Sequence, residues 1–304
     1  MANDPSVDFT SLASCALRAS RAQTQEDLVL LPTLLASFGL RAGTFVELGA
    51  YTGIALSNTL MLEHCLGWHG LLIEANPSNF ARLNSSGRRA AKVHSAVCEP
   101  AGTATVTTRG QASAGQLQLP MSTASARGAA ALRRRYRVDN TSVEVPCSPL
   151  PTLMRAHAAL EGADFLSLDV EGAESTVLET VGEARGRRRI FGLALVELDA
   201  VDMRNDTRVS RRLRGMGLTL SRTLRVPRSG VFVSSGVRET PLPRDGPFAA
   251  QLAQAESGAA HRKHGTSTGS EPHSPPPARV SVAVTREYAT ALERAYAVFL
   301  RGGS

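Results

Sequence analysis

Glu47, Gly49 and Gly53 fall within FVELGAYTGIALSNT, residues 45–59, directly after a short apolar run. Glycines in a turn after a strand let a ligand or another backbone come close. A dinucleotide fold uses G-x-G-x-x-G, whose second glycine admits a pyrophosphate to a helix N-terminus. Here the pattern is Glu47-x-Gly49-x-x-x-Gly53. The closely spaced glycine pair is missing, and Glu47 would repel a pyrophosphate, which argues against a nicotinamide-dependent oxidoreductase. An acid in that place suits a cationic ligand group. Further on, GWHGLLIE ends at Glu74, which can accept hydrogen bonds from two ribose hydroxyls. A ligand with a ribose, a cation and no phosphate fits S-adenosylmethionine, whose ammonium and sulfonium are cationic and whose adenosine keeps both hydroxyls free.

A second group of acids, Asp169, Glu171 and Glu174, occupies DVEGAE at the end of another apolar run. Carboxylates this dense at a strand end suit a general base for a substrate hydroxyl, or part of an oxygen-ligand site for a divalent metal. Glu171 and Glu174 also have a plain reading, as acids favoured by the dipole of the following helix. Asp169 ends an apolar strand facing the cleft and is the stronger functional candidate. His64, His69 and His157 have no partners in sequence and read as structural. RRRYR (133–137) and GRRR (186–189) read as solvated loops, the first also able to capture an anionic substrate.

These residues need a frame. From 45 to 200 apolar strands alternate with helical spacing, the pattern of an α/β fold with a mostly parallel sheet and helices on both faces. Ligands in such folds sit beyond the carboxyl ends of the strands. The strands end in acids at Glu47, Glu74, Asp169 with Glu171, and Glu197 with Asp199. The helix before the first strand covers TQEDLVLLPTLLASF, with Thr24 as its N-cap. IALSNTLMLEHCL reads as the helix after that strand, on the spacing of Ile54, Leu56, Leu60, Met61 and Leu62.

The 304 residues suffice for one large domain or two small ones. Residues 1–22 read as a flexible N-terminus, 23–237 as the domain with a mobile insertion at 109–146, 238–280 as a disordered low-complexity segment, and 281–304 as a C-terminal helix. A net charge of +7, nearly all from arginine, suits anionic partners. With 5% aromatics there is no basic–aromatic interleaving, and no specific nucleic-acid partner is expected. Cys15, Cys65, Cys98 and Cys147 lie far apart with no CxxC, so no disulfide framework is implied and the spacing fits a reduced compartment. MANDPSVDF does not read as a signal peptide, and no apolar run reaches the ~18–20 residues of a membrane span, so a cytoplasmic protein is expected.

Taken together, FVELGAYTGIALSNTLMLE, GWHGLLIEANP and DFLSLDVEGAESTVLE resemble the FkbM-type methyltransferases, over about residues 25–236. The resemblance implies the Rossmann-like class I methyltransferase fold, with a seven-stranded sheet and S-adenosyl-L-methionine as cofactor. It implies methyl transfer, typically to a hydroxyl of a sugar or natural-product acceptor. Cofactor residues then map onto Glu47, Gly49, Ala50, Gly53 and Glu74. Asp169 and Glu171 map onto the cleft edge as catalytic candidates, with Asp169 also bordering the cofactor. TQEDLVL is similar to a segment that precedes the core in these proteins, which brings Gln25 or Asp27 near the cofactor. The third strand ends in SAVCEP, without an acid for the adenine amino group, which leaves backbone groups around Ala96, from Ser95 to Val97. The GW-G-LLIE-NP form also resembles a eukaryotic branch related to the insect Star protein, which implies an alternative as a non-catalytic binding or trafficking module.

Overall fold

The structure is a computed structural model, and it describes residues 7–40, 43–109, 116–118, 140–182, 190–198, 202–262 and 281–302. Helices α1 (Phe9–Ala19) and α2 (Glu26–Phe38) lead into β1 (Thr44–Leu48), α3 (Leu60–Leu66), β2 (His69–Glu74), α4 (Pro77–Asn84), β3 (Ala91–His94) and β4 (Ala96–Val97). Then come β5 (Gly102–Arg109), β6 (Gln116–Gln118), β7 (Asn140–Ser148), α5 (Leu150–Ala158), β8 (Ala163–Leu168), α6 (Glu174–Glu179) and β9 (Phe191–Glu197). The chain closes with α7 (Met203–Gly215), β10 (Leu218–Leu220), β11 (Ser229–Ser234), α8 (Pro247–Arg262) and α9 (Val282–Arg301).

Seven strands form one sheet in the order β10-β11-β9-β8-β1-β2-β3. β11 runs antiparallel to both neighbours, and the central pairs β9-β8, β8-β1, β1-β2 and β2-β3 are parallel. This order, with one reversed strand next to the edge, is the topology of class I methyltransferases. β1 and β8 are mostly apolar and buried along nearly their whole length because helices cover both faces of a parallel sheet. Phe45, Leu72 and Phe165 pack with α1, α2, α3 and α9 on one face. Val46, Leu71 and Leu166 pack with α5, α6 and α7 on the other. All central strands therefore point their carboxyl ends at the same edge, where the acids lie.

Several expectations change. Residues 9–19 are a helix, not a flexible tail: Asp8 caps it through the Thr10 and Ser11 amides, and Ala13, Ala16 and Leu17 are buried. Residues 140–146, expected in a mobile insertion, belong to β7, which pairs with β5 over eight positions in a second sheet, β4-β7-β5-β6. Part of the low-complexity segment, residues 247–262, is the helix α8; alanine favours helix, and Phe248 stacks on Tyr288 of α9. RRRYR, GRRR, Asp199 and residues 263–280 lie outside the described residues.

The cysteines also depart from expectation. Cys15 of α1 is bonded to Cys65 of α3, and Cys98 to Cys147 of β7. Each pair lies about 50 positions apart in sequence, a proximity set by packing that spacing alone cannot reveal. Two disulfides fit an oxidising compartment, not the reduced one that the spacing suggests. Among the described residues no helix is long and apolar enough to cross a membrane.

Candidate active site

A cavity of about 300 Å³ opens at the carboxyl ends of β1, β2 and β8. Glu47, Gly49, Glu74, Ala96, Asp169 and Glu171 all line it, from four different segments of the chain. Strand register accounts for the convergence. Leu48 pairs with both Ile73 and Leu168, so the residues that follow them leave the sheet side by side.

Glu74 is buried, and each of its oxygens holds one backbone amide: Asn76 N–H at 2.7 Å and Tyr51 N–H at 2.8 Å. Burial pushes its carboxyl up to about 7, against the pull of those amides. A carboxylate fixed this way keeps lone pairs for a ribose diol. Ser95, Ala96 and Val97 form the wall beyond it, at the point where β3 bends away into β4 of the second sheet.

Glu47 is not a bare charge aimed at a ligand. It accepts from Ser57 Oγ at 2.9 Å, the Asn58 amide at 2.8 Å and Thr59 Oγ1 at 2.5 Å. These bonds hold residues 54–59 as a loop, so the helix expected from Ile54 begins only at Leu60. The loop presents Asn58, whose Nδ2 donates to Ser167 Oγ at 3.1 Å while its buried Oδ1 has no partner among the described residues. An orphaned acceptor on the cavity wall is costly unless a ligand donates to it.

The glycines serve the backbone more than the ligand. Gly49 has φ +75, and a Cβ there would sit 1.8 Å from the Asp169 carbonyl oxygen. Its small size lets the tips of β1 and β8 touch. Gly53 does not line the cavity; a Cβ there would meet Leu83 Cδ1 at 2.5 Å, and its carbonyl accepts from Arg88 Nη1 at 2.6 Å. Ala50 is likewise buried in the core and shapes the turn from behind, its amide bonded to the Ile73 carbonyl at 3.1 Å.

Sequence reasoning passed over Arg88. It is buried, pairs with Glu63 at 2.9 Å, and donates to Ser57 Oγ and Thr59 Oγ1, so it backs the same loop that Glu47 holds. Nothing in NSSGRRAA distinguishes it from a solvated arginine. The reading of α2 also shifts. Thr24 is not the N-cap; Gln25 is, in the left-handed region at φ +62, with no side-chain cap bond. Asp27 lies in the core away from the cavity, accepting from Ser20 Oγ at 2.7 Å and the Leu28 amide at 2.9 Å, and burial raises its carboxyl to about 7. Glu26 is the acid of that segment that reaches a cavity.

That second cavity, about 50 Å³, adjoins the first and shares Leu56, Asn58, Ser167 and Asp169 with it. Glu26, Glu197 and Arg228 line its far side. Asp169 is reached by solvent on the cavity floor, yet protein crowds it on its other sides. That crowding, then Glu197 and Glu171, push its carboxyl well above the usual range. One carboxylate oxygen each of Asp169, Glu174 and Glu197 lie within 4.8 Å of one another. Glu174 is engaged by the Val170 and Gly172 amides and by Asn205 Nδ2, and Glu197 by Arg228 at 2.9 Å, so protein donors already hold two of the three carboxylates.

Backbone strain gathers here too. Among the described residues six non-glycine residues have positive φ. Tyr51, Leu56, Glu171 and Arg228 line the two cavities, and Gln25 stands between the lining residues Thr24 and Glu26. Such conformations cost about 1–3 kcal/mol each and cluster where ligands are held.

The Methyltransferase FkbM domain model matches residues 47–203, from the acid of β1 to the first turn of α7. No curated protein matches the chain in sequence. Among solved structures the chain is similar to a methyltransferase FkbM from Methylobacillus flagellatus, at 14% identity and TM-score 0.36, covering 74% of this chain and 57% of that one. It is also similar to precorrin-6y C5,15-methyltransferase from Geobacter metallireducens, at 9% identity and TM-score 0.34, covering 67% and 86%. A third is Aeropyrum pernix fibrillarin, solved with S-adenosyl-L-methionine, at 13% identity and TM-score 0.35, covering 64% and 66%. At these scores the strand order of the chain itself carries the fold. With that order and the family match over half its length, the chain belongs to the FkbM methyltransferase domain family, a family of S-adenosylmethionine-dependent enzymes.

Proposed function

We propose that this chain methylates a hydroxyl oxygen of a sugar or small natural-product-like acceptor. The observation that carries the reading is the convergence of Glu74, Asn58 and Asp169 on one cavity at the strand ends. The groups present fit the cofactor. Glu74 would hold the ribose diol, the orphaned Asn58 Oδ1 with Glu47 behind it the ammonium end, and Ser95, Ala96 and Val97 the adenine. Bound there, S-adenosylmethionine supplies a methyl group on a sulfonium, ready for attack by a nucleophile.

The chain's own contribution is chiefly alignment. A well-oriented pair gains about 7–11 kcal/mol over free encounter. Gly49 lets the β1 and β8 tips close up, so the cofactor wall and Asp169 form one surface. An alcohol must also lose its proton during transfer, and a positioned carboxylate is worth roughly 10²–10⁴-fold. Asp169 and Glu171 are the carboxyls at the cavity edge, where an acceptor entering beside the cofactor would meet them.

The test is methyl transfer from labelled S-adenosylmethionine to a panel of glycosides and hydroxylated aglycones, each paired with its deoxy or O-methylated analogue. Label in the hydroxyl-bearing member alone supports the reading; label on amine or carbon positions contradicts it.

A further inference from the structure

The small cavity is lined differently from the large one. Glu26 at the start of α2, Asp169 just after β8 and Glu197 at the end of β9 border it, against one base, Arg228. Arg228 Nη2 already lies 2.9 Å from Glu197 Oε1. This corner is therefore acidic in a chain whose net charge is +7. Thr24 lines the same cavity, is only 7% exposed, and its buried Oγ1 has no hydrogen-bond partner among the described residues. Its amide donates to Glu26 Oε2 at 2.8 Å, which holds that carboxylate beside the orphaned hydroxyl. A buried polar atom left in this state is costly unless a ligand meets it.

We propose that the small cavity is a subsite for a protonated amine carried by the acceptor, which makes the substrate an amino-bearing polyol such as an amino sugar or an aminocyclitol. This rests on the methyltransferase reading above and narrows its substrate class. An ammonium group has three donors and no acceptor. Thr24 Oγ1 and the carboxylates of Glu26 and Glu197 are acceptors for such donors, contributed by separate segments. A neutral hydroxyl could satisfy Thr24 but would leave the excess of acids without a counter-charge, and buried charges are stable only when paired.

Size agrees with this occupant. One water needs roughly 10–15 Å³, so a cavity of about 50 Å³ takes an ammonium and its carbon but not a ring. The rest of the acceptor must then lie in the large cavity, which shares Asn58, Ser167 and Asp169 with the small one. A hydroxyl close to the amine is thereby placed beside Asp169 and the cofactor wall. The amine held as ammonium has no lone pair to attack the methyl group, so transfer goes to oxygen. The cofactor's own ammonium has a separate place, since Glu47 lines the large cavity alone, and Thr24 and Glu26 line the small one alone.

The test is an amide NMR titration of the full chain with 2-aminoethanol, the smallest fragment that carries an amine next to a hydroxyl, and with ethylene glycol as its uncharged match. Each is added with and without saturating S-adenosylmethionine. The expected result is that 2-aminoethanol shifts the Thr24 and Glu26 amide signals, binds at least tenfold more tightly than ethylene glycol, and still binds beside the cofactor. Glu26→Gln keeps an oxygen for the Thr24 amide and should fold; in it the affinity for 2-aminoethanol should fall at least tenfold. Equal binding of ethylene glycol, unmoved Thr24 and Glu26 signals, or an unchanged affinity in Glu26→Gln would overturn the proposal. Competition between 2-aminoethanol and S-adenosylmethionine would overturn it by giving the cavity to the cofactor, and displacement by magnesium chloride at constant ionic strength would overturn it by making the cavity a metal site. If 2-aminoethanol binds and S-adenosylmethionine does not, the methyltransferase reading fails while the amine site stands apart from it.

Discussion

Glu74 Oε2 accepts a hydrogen bond from the Tyr51 amide at 2.8 Å, which ties the end of β2 to the glycine turn after β1. One carboxylate therefore both braces the turn and faces the cavity. Replacing it should lose a charge-assisted ligand bond worth about 1.5–3 kcal/mol, or roughly 10–100-fold in affinity. Glu74→Gln keeps an oxygen acceptor and should bind S-adenosylmethionine better than Glu74→Ala, a ranking that calorimetry can check.

The pH dependence follows from the same burial. Glu74 moves from its ordinary 4.5 to about 7, and Asp27 from 3.8 to about 7. Both folded values are raised, so between about pH 4 and 7 the folded chain holds more protons than the unfolded one. Their contribution to stability is therefore greatest at the acid end and falls as pH rises towards 7. Melting temperature without ligand should drop across that window, and less steeply in Asp27→Asn. Cofactor affinity should run the other way, strengthening as Glu74 ionises.

Gly49→Ala and Gly53→Ala should differ in kind. At Gly49 the new methyl meets a backbone oxygen at 1.8 Å, and neither strand tip can retreat without breaking the β1-β8 register. At Gly53 it meets a leucine methyl that can rotate away. Both pay for a positive φ, but the first should lose several kcal/mol and its cofactor binding, and the second about 1–2 kcal/mol. Equal losses in urea unfolding would show that the close approach at Gly49 is not what requires glycine.

Arg88→Met should be among the most damaging changes outside the cavity. It strands Glu63 in the interior and removes donors from Ser57 and Thr59. Breaking one side of a buried ion pair costs about 3–5 kcal/mol. Arg88→Met with Glu63→Leu should recover part of the stability but not the loop, so cofactor affinity should stay low while melting temperature rises.

Reduction should destabilise the chain. Cys15–Cys65 pins α1 to α3, the helix directly after the cavity loop. A disulfide of this kind contributes about 2–4 kcal/mol. Mass spectrometry of alkylated protein should find four blocked thiols before reduction and four labelled ones after it. Four labelled thiols in fresh, unreduced protein would contradict the pairing.

The sheet and the acids at its edge were legible because both are local signals. Strands announce themselves by apolar runs, and Glu74 and Asp169 stand at the ends of two of them. What was hidden depends on contacts between distant segments. Glu47 looks like a ligand residue until Ser57, Asn58 and Thr59 are seen to occupy it, and those bonds are also why Ile54–Thr59 is loop despite its helical spacing. Arg88, and the pairing of Glu197 with Arg228, have no motif; they exist because the fold brings β3 under the loop and β11 against β9. Asp27 and Glu26 are adjacent in sequence, and only the direction of α2 decides that Glu26 reaches a cavity while Asp27 enters the core.

The central claim is that the cavity between β1, β2 and β8 holds S-adenosylmethionine. Isothermal titration with this ligand and with NAD, on the wild-type chain and on Glu74→Ala, tests it most directly. The account predicts binding of S-adenosylmethionine and not of NAD, weakened roughly 10–100-fold in the variant. A folded chain that binds neither ligand, or binds S-adenosylmethionine equally well without Glu74, would contradict it.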